Sequence, residues 1–450
     1  MTTIKLKRGF DIKISGEATL EVGTADISKR YSIVPDHFEG ITPKVVVKSG
    51  EHVKAGQPLF HDKVHEEINV VSPVSGIIEA VNRGERRKVM SIDITPDAEV
   101  EHVTFDTKAT DAQTAKALLL QSGMWVYIRQ RPYDVIANPD ATPKAIFIST
   151  FDTEPLAADF NFTLAGHQAE LQAAIDTLAM IAPVYVGVNA RKPSHMFDSL
   201  KNCTITAFDG PHPAGNVGVQ INHVAPVNKG ETVYTIGIQD LAIIGRLIQK
   251  GHVDMQKTIA LCGPLVRTPQ YYKYTYGQPA SCITRCNIEV GVKPRIICGN
   301  ILSGTQIDEQ ETLCPYCNQI SVIADGSDTD EILGWVAPRI NKFSTSGTYL
   351  SGILGKFMPK IIEYEYDARL LGGRRAIIMS GEYDKVFPMD IYPEYLIKAM
   401  IAGNIDRMET LGAYEVAPED FALCEFVCTS KMPLQAIVRQ ALSQMRKELE

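Results

Sequence analysis

Hydrophobic and polar positions follow a strand-like pattern in the first part of the chain and a helical period further on. Up to about residue 105, apolar runs over residues 43–49, 53–60 and 72–81 are short, and glycine-containing turns separate them. Glycine supplies turn conformations that other residues resist. Short strands with regular turns predict a lipoyl- or biotinyl-like barrel-sandwich domain, or β hammerhead, over residues 1–105.

Residues 106–255 alternate between strand-like and helix-like segments. Helical spacing of apolar residues covers residues 112–121, 167–181 and 240–250. Gly123 and Gly251 follow the first and last of these segments, as glycine often does at a helix end. Strand-like apolar runs cover residues 144–149, 184–188, 204–208 and 232–236. This alternation predicts a Rossmann-like domain with a parallel sheet.

Three loops of this predicted sheet are candidate ligand sites, because ligands bind at the carboxyl ends of parallel strands. They cover residues 150–158, 189–194 and 209–218. The third loop is rich in glycine, but it lacks the GxGxxG spacing and does not clearly open a helix. The first loop contains no glycine to let a flavin or nicotinamide phosphate approach the backbone. The pattern therefore does not favour a nucleotide site.

The remainder of the chain divides into a mixed segment and a helical one. Strand-like runs in the mixed segment cover residues 257–262, 271–276, 295–300 and 320–323, with a short helical stretch at 280–287. This order suggests a β-grasp domain that binds a soluble ligand, over residues 256–330. Residues 331–450 begin as a connecting segment and end in helices at 393–401, after Pro418 and at 434–449. The predicted fold class is therefore multidomain α/β.

Composition narrows the function. The chain has 450 residues, 45% hydrophobic and 22% charged, with a net charge of −8. This balance is typical of globular domains, and the net negative charge argues against a nucleic-acid-binding protein, for which a basic face is expected. Residues 1–8 mix apolar and charged positions, which predicts no signal peptide. The most apolar stretch, residues 178–188, is too short to span a bilayer, so any membrane role requires partners.

Nine cysteines, an odd number, favour free thiols in a reducing cytosol. Cys314 and Cys317 form the one CxxC motif, and the four-cysteine run expected of an iron–sulfur cluster is missing. The spacing favours buried structural thiols over a metal site, for which Cys314 and Cys317 are the weak candidates. The acidic stretch from Asp325 to Glu331 lacks the spacing of a calcium loop and is interpreted as a solvated turn.

The segments at residues 48–60 and 72–81 resemble the lipoyl and biotinyl carrier fold, in which a carrier lysine lies on a hairpin just before a Ser-Pro pair. The candidate is Lys63, nine residues before Ser72 and about two more than that pattern expects. The resemblance therefore favours a structural module over a modified carrier.

Four further motifs carry a resemblance to a family. They are IKLKRGFDI at residues 4–12, SPVSGIIEAVNRGERR at 72–87, VFPMDIYP at 386–393 and EDFALCEFVC at 419–428. Together with the domain order they resemble the A subunits of the Na⁺-translocating NADH:quinone reductases. That family is related to the C subunits of Rnf complexes and to the NADH-input subunit of complex I.

The resemblance implies a quinone-handling subunit without a redox cofactor of its own, which uses ubiquinone or menaquinone as substrate. NADH, flavins and iron are expected on other members of a six-subunit complex that exports Na⁺. The main partner is expected to be a membrane-embedded quinone or flavin subunit, and the location peripheral, on the cytoplasmic face of the bacterial inner membrane. The isolated chain is not expected to be catalytic.

A quinone headgroup needs a mostly apolar slot with donors to its carbonyl oxygens. The candidate donors are Arg191, His195 and His212 in the strand-end loops, and Arg267 and Tyr271 in the β-grasp segment. The alternative for each is a surface or core role. Two other functions stay open: an Rnf-type electron-transport subunit with its own flavin or iron–sulfur cluster, and a purely structural docking subunit.

Overall fold

The computed structural model describes residues 2–327, 364 and 366–450, and it shows a multidomain α/β chain with four sheets. The strands of the first half are β1 (Thr2–Lys5), β2 (Thr19–Gly23), β3 (Tyr31–Ile33), β4 (Pro43–Val45), β5 (His52–Val53), β6 (Pro58–Asp62), β7 (Asn69–Val71), β8 (Gly76–Arg83), β9 (Val89–Pro96), β10 (Arg129–Arg131), β11 (Val135–Ile136) and β12 (Ala145–Ser149). Those of the second half are β13 (Val184–Asn189), β14 (Thr204–Asp209), β15 (Val233–Thr235), β16 (Gln256–Cys262), β17 (Gln270–Thr275), β18 (Pro294–Cys298), β19 (Thr305–Ile307) and β20 (Gln319–Ala324).

The helices lie mainly in the middle and at the end of the chain. They are α1 (Ala112–Gln121), α2 (Phe160–Thr163), α3 (Gln168–Ala179), α4 (His195–Asp198), α5 (Val217–Val224), α6 (Ile238–Lys250), α7 (Ser281–Thr284), α8 (Pro393–Ile401), α9 (Ile405–Thr410), α10 (Ala422–Val427) and α11 (Leu434–Leu449). Within the part of the chain that the structure describes, no helix is both long and apolar enough to span a bilayer.

The largest sheet has seven strands in the order β1-β14-β13-β12-β15-β10-β11. Its first five strands are parallel, and the β10–β11 hairpin adds an antiparallel edge. Apolar residues of β12 and β13 are buried, as expected of strands covered on both faces. Helix α6 packs closely on α3 at Gly245, where any Cβ would overlap the backbone carbonyl of Glu170.

The second large sheet has six strands in the order β19-β18-β20-β16-β17-β2. Two smaller antiparallel sheets, β3-β9-β8-β5 and β4-β6-β7, form the N-terminal part. Strands β1 and β2 leave this part and pair with β14 and β17 of the two large sheets. The hammerhead, Rossmann-like and β-grasp assignments, and limits at residues 105, 255 and 330, stay predictions.

Most helix predictions are confirmed, and two local interpretations are corrected. Helix α1 covers residues 112–121 as predicted, with Asp111 as its N-cap and Gly123 in the left-handed region at φ 72°. The glycine-rich loop at 209–218 does open a helix, α5. Asp325 is not solvated: it is 8% exposed and lies 2.8 Å from Arg295. Asp328 and Asp330 lie outside the described residues.

Candidate functional site

A cavity of about 320 Å³ opens where β12 and β15 end, and we call it the strand-end cavity. It is lined by the residues that follow β12 and by the first turns of α5 and α6. The six-stranded sheet also contributes to its lining, through the end of β18 and the loop before β20. Tyr127, Phe151, Phe160 and Tyr316 contribute aromatic surface. The cavity thus lies at the edge of a parallel sheet where ligands commonly bind, and it combines aromatic surface with charged side chains.

One wall of the cavity is held by an arginine network, in which the buried Arg131 and the partly exposed Arg129 and Arg439 surround Asp134. The tight β10–β11 turn places Asp134 at φ 53°, so that its carboxylate accepts from Arg129 at 2.8 Å and Arg439 at 3.1 Å, and also from Arg131. Burial alone would raise the pKa of Asp134, but these three guanidinium groups lower it. The carboxylate is therefore charged and fixed in place.

Arg131 extends this network into the C-terminal part of the chain. Its side chain is 1% exposed, and it lies 3.2 Å from Glu419 and 4.0 Å from Asp420. Asp420 accepts the backbone N–H of Ala417 at 2.8 Å, and burial raises its pKa to about 7. The network thereby joins the edge hairpin of the seven-stranded sheet to the helices around α10 and α11.

The loop after β12 supplies two acidic side chains, Asp152 and Glu154, which we call the carboxyl pair. The backbone N–H of Glu154 donates to Asp152 at 2.8 Å, and the Glu154 carboxyl accepts from Ser303 at 3.1 Å and from Asn300. Burial raises the pKa of Asp152 to about 6 and that of Glu154 well above its usual value. The carboxyl pair therefore retains a proton under conditions in which exposed acids are ionised.

Three cysteines line the cavity on the side of the six-stranded sheet: Cys298, Cys314 and Cys317. All three are free thiols, and Cys298 and Cys317 are buried whereas Cys314 is partly exposed. Among the residues that the structure describes, no group of three or more His, Cys, Asp or Glu side chains is arranged to hold a metal ion. The weak metal candidates Cys314 and Cys317 thus lie in a thiol cluster.

The candidate donors in the strand-end loops are brought together only in part. Arg191 is ion-paired with Asp209 at 2.8 Å and lies 4.0 Å from Asp11, whose carboxylate also accepts the backbone N–H of His212 at 2.8 Å. His212 is 1% exposed, its ring contacts Thr153 at 3.1 Å, and burial lowers its pKa to about 4. Arg191 and His212 therefore flank one carboxylate, next to the strand-end cavity.

The remaining candidates are dispersed. His195 is exposed at the start of α4. Arg267 is exposed and lies 3.8 Å from Glu289. Tyr271 is buried, and its hydroxyl accepts the backbone N–H of Asp159 at 2.8 Å. Of the five predicted donors, none is among the described residues that line the strand-end cavity.

A smaller cavity of about 90 Å³ lies where β12 and β13 end. It is lined by residues of the loops at 150–158 and 189–194, and by Asp159, to which Tyr271 is bonded. The third loop, at 209–218, contributes Gly215, Asn216 and Val217 to the strand-end cavity. Each of the three loops selected from the sequence thus contributes to at least one of these two cavities.

Sequence reasoning missed the residues that define the strand-end cavity, above all Arg129, Arg131 and the carboxyl pair. One signal was available for the hairpin: Arg-x-Arg-Pro-Tyr-Asp places two guanidinium groups and a carboxylate beside a turn. A second was the acidic sequence Asp152-Thr153-Glu154 directly after a buried strand. Lys63, the carrier candidate, is exposed on the hairpin between β6 and β7, and its modification stays untested.

Three family models match the chain. They describe an NqrA N-terminal barrel-sandwich hybrid domain at residues 4–97, an NqrA second alpha/beta domain at 110–253, and an NQRA C-terminal domain at 258–309. The A subunit of the Na⁺-translocating NADH-quinone reductase of Haemophilus influenzae is 33% identical, over 99% of this chain and all of the relative. The protein of the same name from Photorhabdus laumondii is also 33% identical with the same coverage.

A solved structure with partial similarity is an NAD⁺-reducing [NiFe]-hydrogenase in the air-oxidized state. Its identity to this chain is 14% and its TM-score is 0.34, over 68% of this chain and 60% of the other.

Proposed function

Since the chain belongs to the family of the A subunits of the Na⁺-translocating NADH:quinone reductases, we propose that it is the quinone-binding subunit of such a complex. The headgroup of ubiquinone or menaquinone binds in the strand-end cavity. One observation carries this assignment: the cavity combines aromatic walls with a guanidinium group and a proton-holding carboxyl pair. Such a cavity satisfies both the apolar ring and the two carbonyl oxygens of a quinone.

Arg129 is the donor that we assign to the quinone. Its guanidinium group lies over the ring of Tyr316 at 5.4 Å, and its side chain is 30% exposed, toward the cavity that it lines. Nη2 donates to Asp134, which fixes the plane of the group. A positioned cation of this kind gives a charge-assisted hydrogen bond to an oxygen acceptor.

The carboxyl pair completes the assignment. A protonated carboxyl group is a hydrogen-bond donor, whereas a carboxylate repels the electron-rich oxygen of a quinone that is being reduced. The raised pKa of Asp152 and Glu154 therefore suits a quinone site. Phe151, which precedes Asp152 in the same loop, supplies an apolar face beside the two acids.

The wider role follows from the family. We propose that this subunit carries no redox cofactor of its own, and that flavins, iron and NADH are bound by other subunits. It attaches to a membrane-embedded quinone or flavin subunit at the cytoplasmic face of the inner membrane. The chemical step, NADH oxidation by quinone coupled to Na⁺ export, belongs to the assembled complex.

Quinone titration of the purified chain tests the proposal. Trp125 is fully buried, donates to the carbonyl of Ala137 at 2.8 Å and lies two residues before Tyr127 in the cavity wall, so its fluorescence reports on the cavity. Trp335 lies outside the described residues, and a Trp335→Phe background removes its signal. We expect saturable quenching by a short-tailed ubiquinone. Arg129→Gln should weaken binding about tenfold, the equivalent of about 1.4 kcal/mol.

Arg267→Gln is the matched control, because it removes the same charge from an exposed position outside the cavity. It should leave the quinone affinity unchanged. Weaker binding in Arg267→Gln but not in Arg129→Gln would move the site away from the strand-end cavity. Flavin or iron absorbance in the purified protein would contradict the cofactor-free assignment and favour an Rnf-type role. If the chain is colourless and binds no quinone, a docking role is favoured.

A further inference from the structure

We propose that the turn Cys314-Pro315-Tyr316-Cys317 is a thiol–disulfide exchange site that reacts with small disulfides entering the strand-end cavity. Cys314 is the attacking thiol and Cys317 the resolving thiol. The inference goes beyond quinone binding and does not depend on it. It rests on the geometry of the turn, on the difference in exposure between its two thiols and on the groups that contact the turn, namely the Cys298 thiol and the Lys257–Asp240 ion pair.

The turn places its two sulfurs within reach of one another. The backbone N–H of Cys317 donates to the carbonyl of Cys314 at 3.1 Å, which closes the four residues into a tight turn. The first and last Cα atoms of a β-turn lie within about 7 Å, and disulfides join Cα atoms about 4.4–6.8 Å apart. Oxidation of this pair therefore requires little movement of the backbone.

The two thiols differ in the way that exchange requires. Cys314 is partly exposed and lines the cavity, whereas Cys317 is buried behind it. A third thiol, Cys298, is also buried and accepts the backbone N–H of Cys314 at 3.2 Å. An incoming disulfide thus meets Cys314 first, and the mixed disulfide that forms lies next to a protected second thiol.

A buried ion pair lies against the turn. Nζ of Lys257 donates to the carbonyl of Pro315 at 2.6 Å and is paired with the carboxylate of Asp240, which is as buried as the lysine. The neighbouring thiols of Cys298 and Cys317, followed by His37 and Lys257, lower the pKa of Cys314 well below its usual value despite burial. Since the thiolate is the nucleophile in exchange, this setting favours reaction at Cys314.

The exchange reaction needs no oxidant other than the small disulfide itself. The Cys314 thiolate attacks one sulfur of the small disulfide, whose S–S bond breaks as the mixed disulfide forms and the first thiolate leaves. The Cys317 thiol then attacks the Cys314 sulfur, the second small thiolate leaves, and the proton of Cys317 passes to it or to water. The two protein thiols are oxidised to one disulfide, and the small disulfide is reduced to two thiols.

The test is the reaction of the full-length chain with the chromogenic disulfide dithiobis(nitrobenzoate), in the absence of quinone. All variants carry Cys286→Ser, because the exposed thiol of Cys286 would release a nitrothiolate of its own. We expect a fast phase that releases two nitrothiolates per chain and leaves a Cys314–Cys317 disulfide in the peptide map. Cys317→Ser should release one nitrothiolate in that phase and retain a stable mixed disulfide on Cys314. Cys314→Ser should abolish the fast phase and leave only reactions at least about tenfold slower.

Cys203→Ser is the matched control, because Cys203 is partly exposed like Cys314 but lies outside the cavity, and its loss should leave the fast phase intact. Near-identical circular dichroism of the serine variants would show that they are folded. A fast phase that survives Cys314→Ser, or one that disappears in Cys203→Ser, would overturn the assignment of Cys314. Release of two nitrothiolates by Cys317→Ser would overturn the assignment of the resolving thiol. None of these results bears on quinone affinity.

Discussion

The two acidic walls of the strand-end cavity are built on opposite principles. On one side, Asp134 is surrounded by the guanidinium groups of Arg129, Arg131 and Arg439, and its pKa is lowered. On the other, Asp152 and Glu154 are hydrogen-bonded by neutral groups and their pKa values are raised. In the ion pairs that involve the described residues, neither member of the carboxyl pair has a cation as partner.

This difference separates a structural task from a chemical one. A carboxylate with several cations keeps its charge over the working pH range and anchors the elements that contribute those cations. A carboxyl group without a cation is neutral over part of that range and can exchange a proton with a ligand. The cavity therefore has one wall fixed by charge and one wall that responds to pH.

Removal of Arg131 should give the largest effect on stability. Arg131→Met leaves Asp134 with fewer cations, and among the described residues it leaves the fully buried Asp420 without any close cation. An uncompensated buried charge costs about 3–5 kcal/mol, and we expect a loss near 3 kcal/mol at pH 8 because protonation of Asp420 relieves part of it. Urea unfolding at pH 8 and pH 6 measures this loss, which should be smaller at the lower pH.

Lys88→Gln is the control for charge removal at the surface. Lys88 pairs with Asp36 at 2.5 Å, but both side chains are more than half exposed. The free energy of unfolding should change by less than about 1 kcal/mol. If Arg131→Met costs no more than Lys88→Gln, the buried network is not the anchor that its geometry indicates.

Removal of a charge from the carboxyl pair should increase the stability of the fold, whereas removal of Arg131 lowers it. A folded pKa of about 6 for Asp152, against 3.8 when unfolded, means that the proton-bound form contributes stability, and this contribution is lost as the pH rises from about 4 to 6. Asp152→Asn is neutral at every pH, and its Oδ1 can still accept the N–H of Glu154. We therefore expect this variant to be more stable than the native chain by about 1–2 kcal/mol at pH 8, and equal to it near pH 4.

Asp26→Asn is the control, because Asp26 is exposed in the loop after β2. It should change the free energy of unfolding by less than about 0.5 kcal/mol at either pH. A destabilised Asp152→Asn at pH 8 would show that the ionised carboxylate is what the fold requires, contrary to the contrast between the two walls.

Local elements could be predicted because their causes are local. The apolar period fixed the helical assignment of residues 112–121 and 434–449, which the structure confirms as α1 and α11. Helix α5 was missed because it has eight residues and its N-cap, Asn216, makes no side-chain capping bond. The family could also be predicted: the motif at 419–428 contains Asp420 and Phe421, which lie in the buried network and the core.

The site could not be predicted in the same way, because its residues are distant in sequence. The cavity joins Arg129, Asp152, Cys298 and Glu419, which come from four separate segments. The donors that were chosen singly from the sequence already bind other groups of the protein. Arg191 is ion-paired with Asp209, and the Tyr271 hydroxyl is hydrogen-bonded to the backbone of Asp159. The sequence alone does not show which polar groups a fold leaves available, since that depends on contacts between segments.

Glu419 connects the two walls, and its removal should give the smallest change in stability and the most specific change in pH dependence. It accepts from Arg131 at 3.2 Å but its side chain is 41% exposed, so Glu419→Gln should alter the free energy of unfolding by less than about 1 kcal/mol. Burial is the main cause that raises the pKa of Asp152 and Glu154, and the charge of Glu419 raises both further. Without it, Asp152 should ionise at lower pH.

The test is to measure how much Asp152→Asn changes the free energy of unfolding in the native chain and in the Glu419→Gln background. Because the charge that disfavours ionised Asp152 is gone, the stabilisation by Asp152→Asn at pH 8 should be smaller in the second background. Urea unfolding from pH 5 to pH 8 measures both differences. Asp198→Asn, a change outside the cavity lining, serves as the control background and should leave the contribution of Asp152→Asn unchanged. If the contribution is the same with and without Glu419, the two walls of the cavity titrate independently and the exposed carboxylate does not couple them.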